Sequence, residues 1–200
     1  MRIALVNVVD DAVTGISRGE PLAALASALA AVGHDATVHL HWRRPVGDPR
    51  GIRARRHDLG AIAETLGTAW QSVRPDLVHA FTLSAGLAAL LAIRSTHMPR
   101  PPDADQPVVF RSSPIPLVYS YTPPELPVDA NRRRLETALL RSVSAVTIPV
   151  GAAADDEHLR VSVPLGRLTE VPSGHEMVTA ATRLYRHVVE SSTAEPGSIS

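Results

Sequence analysis

Apolar runs of strand length alternate along this chain with stretches of helical period, and that alternation limits the folds open to it. "RIALVNVV", Arg2 to Val9, is short, β-branched and nearly unbroken, the signature of a strand buried on both faces. A polar loop follows. Pro21 then opens a helix in the position proline tolerates best, with Leu22, Leu25, Leu29 and Val32 as its inner stripe and Gly33 as its stop. "DATVHLHW" reads as a second strand, and a short third is expected near Ile52 inside "RRPVGDPRGIRARRHD". Leu59, Ile62, Leu66, Trp70 and Val73 stripe a second helix. Beyond them come a strand in "DLVHAF", a helix in "SAGLAALLAIRST", a strand in "PVVFRSS" and a helix in "NRRRLETALLRSV". "AVTIPV" is a strand, "AADDEHLRV" a short helix and "RLTEVP" a last strand. The pattern predicts an α/β fold: a single Rossmann-like domain with a mainly parallel sheet, including Arg2–Val9, Thr37–Trp42, Leu77–Phe81, Val108–Arg111 and Ala145–Pro149, and helices on both faces.

Two proline-rich stretches interrupt the pattern. "HMPRPPDADQP" reads as a surface connection. "SSPIPLVYSYTPPELPVD" carries Tyr119 and Tyr121 without helical period, and reads as either a binding loop or an ordered, inert proline loop.

Composition removes several chemistries. With 200 residues, 44% of them hydrophobic, the chain can build a sizeable core. Its net charge of zero offers no general attraction to nucleic acid or to an acidic membrane surface. Absence of cysteine excludes disulfides, thiolate catalysis and cysteine metal sites. All twenty basic residues are Arg, so there is no P-loop, Schiff-base or general-base lysine, and any bound phosphate must be held by Arg, backbone amides or helix N-termini. The start "MRIALVNVVDD" is a buried strand rather than a signal peptide, and no apolar run approaches the ~18 residues of a membrane span, so a cytoplasmic protein is expected.

Motifs are sparse. "GISRG" is not a G-x-G-x-x-G fingerprint, and G-x-S-x-G is absent, so neither a dinucleotide site nor a nucleophile elbow is supported. His39 and His41 share one strand face, but no third ligand stands at diagnostic spacing; structural histidines are the favoured reading, and no metal or cofactor is expected. Arg43, Arg44, Arg50, Arg53, Arg55 and Arg56 crowd one connection, which without interleaved aromatics favours a solvated loop over an anion site.

Five stretches in order, "MRIALVNVV…G…LAALASALAAVGHDATVHL", "RPDLVHAFTLSAGLAALLA", "PVVFRSS", "RRRLETALLRSVSAVTIPV" and "VPLGRLTEVPSG", resemble the N-terminal domain of the family 4 glycosyltransferases. The resemblance implies one half of a two-domain enzyme, the half that binds the acceptor, with the linker to a donor-binding domain following "VPSG" at Val171 to Gly174. It also implies departures. Almost nothing after Gly174 can supply the donor domain's diphosphate-gripping Arg and Lys or its paired glutamates. The family's glycine-rich first loop survives only as Gly15 and Gly19. Arg111, Ser112 and Ser113 replace its "T-x-H", and His79 matches the first His of "V-H-A-H" while Phe81 or Thr82 stands in place of the second. The resemblance thus offers no catalytic residue. Its acceptor or ligand candidates are Gly15, Ser17, Arg18, His79, Arg111 and Ser112, with Arg18 and Arg111 the cations suited to a phosphate or carboxylate. For His79 a buried, hydrogen-bonded strand role is favoured over a functional one.

After residue 174 the chain has one more element. Ser173 with Glu176 forms a capping box, and Met177, Ala181, Leu184, Tyr185 and Val188 make one apolar face. The domain is read as 1–174, a helix packed on it as 175–190, and a disordered tail as 191–200. The helix is either the closing helix of a two-domain transferase whose donor half has been excised, or a chance amphipathic helix. Three function classes remain: half of a split transferase completed by a separate donor-domain chain and taking a sugar or sugar-phosphate acceptor, a helper to a glycosyltransferase, or a non-catalytic small-molecule or protein-binding module.

Overall fold

The computed structural model describes residues 1–9, 19–42, 51–96, 115–122, 129–151, 157–164, 166–172 and 176–194. In chain order these form β1 (Arg2–Val9), α1 (Gly19–Ala31), β2 (Asp35–Trp42), α2 (Gly51–Ser72), β3 (Leu77–Ala80) and α3 (Leu83–Thr96). Then come β4 (Leu117–Ser120), α4 (Ala130–Ser142), β5 (Ala145–Pro149), α5 (Glu157–Ser162), β6 (Leu168–Val171) and α6 (Glu176–Ala194). The described strands make one sheet in the order β2-β1-β3-β4-β5-β6, and every pairing is parallel.

Side-chain alternation along the strands divides the core into two layers. Ala4, Val6 and Val8 of β1, with Val78, Ala80, Val146 and Ile148, meet Leu66 and Trp70 of α2, the alanines of α3, Leu139 and Leu140 of α4, and Leu159 of α5. On the other face Ile3, Leu5, Leu77, Val118 and Ala145 meet Leu22, Leu25 and Leu29 of α1 and Ala181, Leu184, Tyr185 and Val188 of α6. The apolar face expected of the last helix therefore packs on this domain. That helix also runs on to Ala194, past the boundary expected at Glu190. Among the described residues no helix is long and apolar enough to cross a membrane.

Local chemistry sets the ends of the elements. α1 closes in a Schellman turn: Gly33 adopts φ +85°, its N–H reaches the Ala30 carbonyl at 3.0 Å, and the His34 N–H reaches the Leu29 carbonyl at 3.0 Å. Val32 consequently lies in the turn, 54% exposed, rather than on the inner stripe. Asp129 caps α4 by accepting from the Arg132 N–H at 2.7 Å. Gly86 lets α3 approach α4, since a Cβ there would lie 2.5 Å from Leu139 Cδ2.

Three expectations are corrected. The segment around Ile52 is not a strand but the first turn of α2, a helix of 22 residues. "GIRARRHD" holds a single β-branched residue among arginines, which favour helix, and it runs directly into the apolar stripe of the same helix. Val73 falls just beyond that helix and is 59% exposed. "SSPIPLVYSYTPPELPVD", read as irregular, contains β4, and Tyr119 and Tyr121 are 3% and 2% exposed in the core, not displayed by a binding loop. Its prolines at 114, 116, 123, 124 and 127 all lie outside the four ladder residues, so they do not interrupt pairing. The strand expected at Val108–Arg111 lies outside the described residues.

Candidate functional site

β1 runs between β2 and β3, so the connections leaving β1 and β3 depart to opposite sides of the sheet, the arrangement that opens a ligand crevice outside the carboxyl ends of the strands. Thr82 lies between the carboxyl end of β3 and the start of α3. Its Oγ1 accepts from the Ala85 N–H at 3.2 Å, capping α3, and donates to the Val8 carbonyl at 3.2 Å. The end of β1 is thereby tied to the start of α3, whose amino terminus carries a partial positive charge suited to an anionic group.

Beneath this edge, on the α1/α6 face, a polar row is sealed into the core. His79 Nδ1 meets the Tyr185 hydroxyl at 2.5 Å and Nε2 meets Ser120 Oγ at 2.8 Å. Ser120 Oγ continues to Thr147 Oγ1 at 2.8 Å. Phe81 stacks on the imidazole with ring centroids 4.2 Å apart. Loss of hydration drives the His79 pKa down from 6.5 to about 3 and pushes the Tyr185 phenol up, so both groups are neutral at physiological pH. A neutral imidazole has one donor and one acceptor nitrogen, and both are engaged here. With both nitrogens engaged inside the protein, His79 ties α6 to β3 and β4. Beside this row Asn7, 2% exposed, has its Oδ1 without a hydrogen-bond partner among the described residues. It stands opposite Leu40 in the β1–β2 register, one residue before the Val8 that Thr82 holds.

Of the residues proposed from sequence, only His79 is among those described; Gly15, Ser17, Arg18, Arg111 and Ser112 lie outside them, as do Ser113 and the capping Ser173. At the carboxyl end of β4 the described residues are Tyr121 and Thr122. Arg53, Arg55 and Arg56 belong to the first turns of α2, and Arg43, Arg44 and Arg50 lie outside the description. His39 packs edge-on to Trp70 at 6.2 Å, a packing contact, and burial lowers its pKa and that of His41. Among the described residues no group of three His, Cys, Asp or Glu could hold a metal ion.

Sequence reasoning missed Asn7, Ser120 and Thr147. Asn7 had a signal, a lone amide within an otherwise apolar buried strand. Ser120 was hidden by its proline-rich surroundings, and Thr147 by the ordinary β-propensity of threonine.

The fold is that of an open, parallel α/β domain of Rossmann-like type. A sucrose-phosphate synthase structure from Thermosynechococcus elongatus matches 94% of this chain with 99% of its own at a TM-score of 0.62 and 16% identity. At that identity the likeness is one of fold alone. No family model matches the sequence, and no curated protein matches it.

Proposed function

We propose that this chain is an acceptor-side glycosyltransferase-like domain that holds a sugar or sugar phosphate at the carboxyl edge of β1, β3 and β4, and transfers no sugar unless a separate chain supplies the donor site. The observation that carries the reading is the placement of α6. β6 ends at Val171 and α6 begins at Glu176, so no second domain intervenes, and α6 returns to β1, β3, β4 and β5. A domain cut at its interdomain linker while keeping the helix that closes on it accounts for this placement.

Glycosyl transfer from a nucleotide sugar needs charge stabilisation of the departing diphosphate. In this reading the donor-side residues that the resemblance implies are supplied by the separate chain. Gly15, Ser17, Arg18, Arg111 and Ser112 are proposed as acceptor contacts, with His79 positioning the floor beneath them.

Calorimetry of the chain against sugar phosphates and nucleotide sugars, with a turnover assay alone and with a donor-domain chain added, tests this. Binding of a sugar phosphate, no tight nucleotide-sugar binding, and turnover only in the mixture are expected. Tight donor binding or unaided turnover overturns the reading. Ligand binding with no turnover in any mixture establishes instead the alternative, a non-catalytic binding module or helper.

A further inference from the structure

The chain as a whole is neutral, yet α4 carries Arg132, Arg133, Arg134 and Arg141 against the single carboxylate of Glu136. Helical spacing explains how the excess is displayed. Glu136, Leu139 and Leu140 face the core, which turns Arg133, Arg134, Thr137, Ala138 and Arg141 outward along one stripe. Together with His158 of α5 they line an open cleft of about 350 Å³.

Three features make this cleft cationic in effect as well as in composition. Glu136, 3% exposed, is turned away from solvent, with its carboxylate 3.6 Å from His158 Nε2. Among the described residues none of Arg133, Arg134 and Arg141 is paired with a carboxylate. Ala138 contributes a short side chain to the lining, leaving space rather than filling it. The Thr137 hydroxyl donates to the Arg133 carbonyl at 2.8 Å, so the cations are the cleft's described donors free for a ligand.

We propose that the α4/α5 cleft is an anion site, distinct from the carboxyl-edge crevice, that takes small ligands bearing two or more linked phosphates. Guanidinium forks match phosphate oxygens bidentately, and three of them suit more charge than one phosphate carries. The volume would hold roughly a dozen waters at ~30 Å³ each, more room than a single phosphate needs. Among the described residues no Phe, Tyr or Trp lines the cleft, so the features on which the ligand is recognised are its phosphates. The inference does not depend on the acceptor-side reading.

Calorimetry of the full chain with inorganic diphosphate and tripolyphosphate, against orthophosphate, tests it. Saturable binding of the longer anions is expected, weakening roughly tenfold or more in the Arg134→Gln/Arg141→Gln pair. An Arg94→Gln/Arg186→Gln pair, exposed elsewhere, should leave it unchanged. Amide NMR shifts should centre on 133–141 and 158, and unchanged circular dichroism verifies that the variants fold. No saturable binding, or equal weakening by the control pair, overturns the proposal. So does binding lost in Arg18→Gln/Arg111→Gln but kept in the cleft pair, which places the phosphate in the crevice and leaves the acceptor-side reading standing. Binding of single-stranded DNA or heparin without binding of either small polyphosphate also overturns it.

Discussion

An imidazole bonded through both nitrogens inside an apolar layer is held in its neutral form, and this gives His79 a definite pH signature. Its pKa falls from 6.5 to about 3 on folding, chiefly through burial, so the unfolded chain takes up the proton first as the pH drops. The stability this contributes is complete above about pH 6.5 and declines as the pH falls towards 3, by at most about 1.4 kcal/mol per pH unit. Urea unfolding of the wild type and His79→Gln at pH 7.5 and pH 4.5 should show the wild-type advantage shrinking at the lower pH. An advantage of constant size would mean that the ring is not desolvated. Tyr185→Phe is a separate probe: it keeps the ring packing and leaves Nδ1 without its partner, for an expected loss of about 1–3 kcal/mol by chemical denaturation.

α6 and the α3/α4 contact are where whole elements can be tested. Ala181, Leu184, Tyr185 and Val188 are each no more than 8% exposed, against strands on one side and α1 on the other. Deleting the chain from Met177 onward uncovers that layer and should cost several kcal/mol, on the scale of multiple large-to-small core changes. A melting temperature unmoved by the deletion would make α6 a loose appendage. At the α3/α4 contact, Gly86→Ala sets a gain of about 1 kcal/mol in helix propensity against a Cβ 2.5 Å from Leu139 Cδ2. Leu139 is fully buried and has little room to retreat, so net destabilisation of about 1 kcal/mol is expected. In a Leu139→Ala background the clash disappears and Gly86→Ala should become stabilising. A double-mutant cycle measures the difference.

At the scale of the molecule, two core layers share one sheet: β1, β3, β4 and β5 each send alternate residues to both. Neither layer can lose its packing without uncovering the strands of the other. The chain should therefore unfold in one transition, with tryptophan fluorescence, to which Trp70 in the α2 layer contributes, coinciding with far-ultraviolet circular dichroism. Separated transitions would show that the α1/α6 layer comes away first.

Most elements of this fold were legible from local pattern alone. The alternation of apolar runs and helical stripes predicted a parallel α/β sheet, and the spacing from Met177 to Val188 predicted the face that α6 buries, because both depend on periodicities of a few residues. Tertiary structure decided what those periodicities do not encode. Leu117–Ser120 is a strand because β3 and β5 offer partners on either side, and four residues among prolines carry too little local signal to announce it. His79 was visible as a strand histidine, but its bonding and charge state depend on Tyr185, 106 residues further along, and on Ser120, 41 residues away. Such contacts follow from sheet register and helix docking, which bring distant residues together only once the chain has folded.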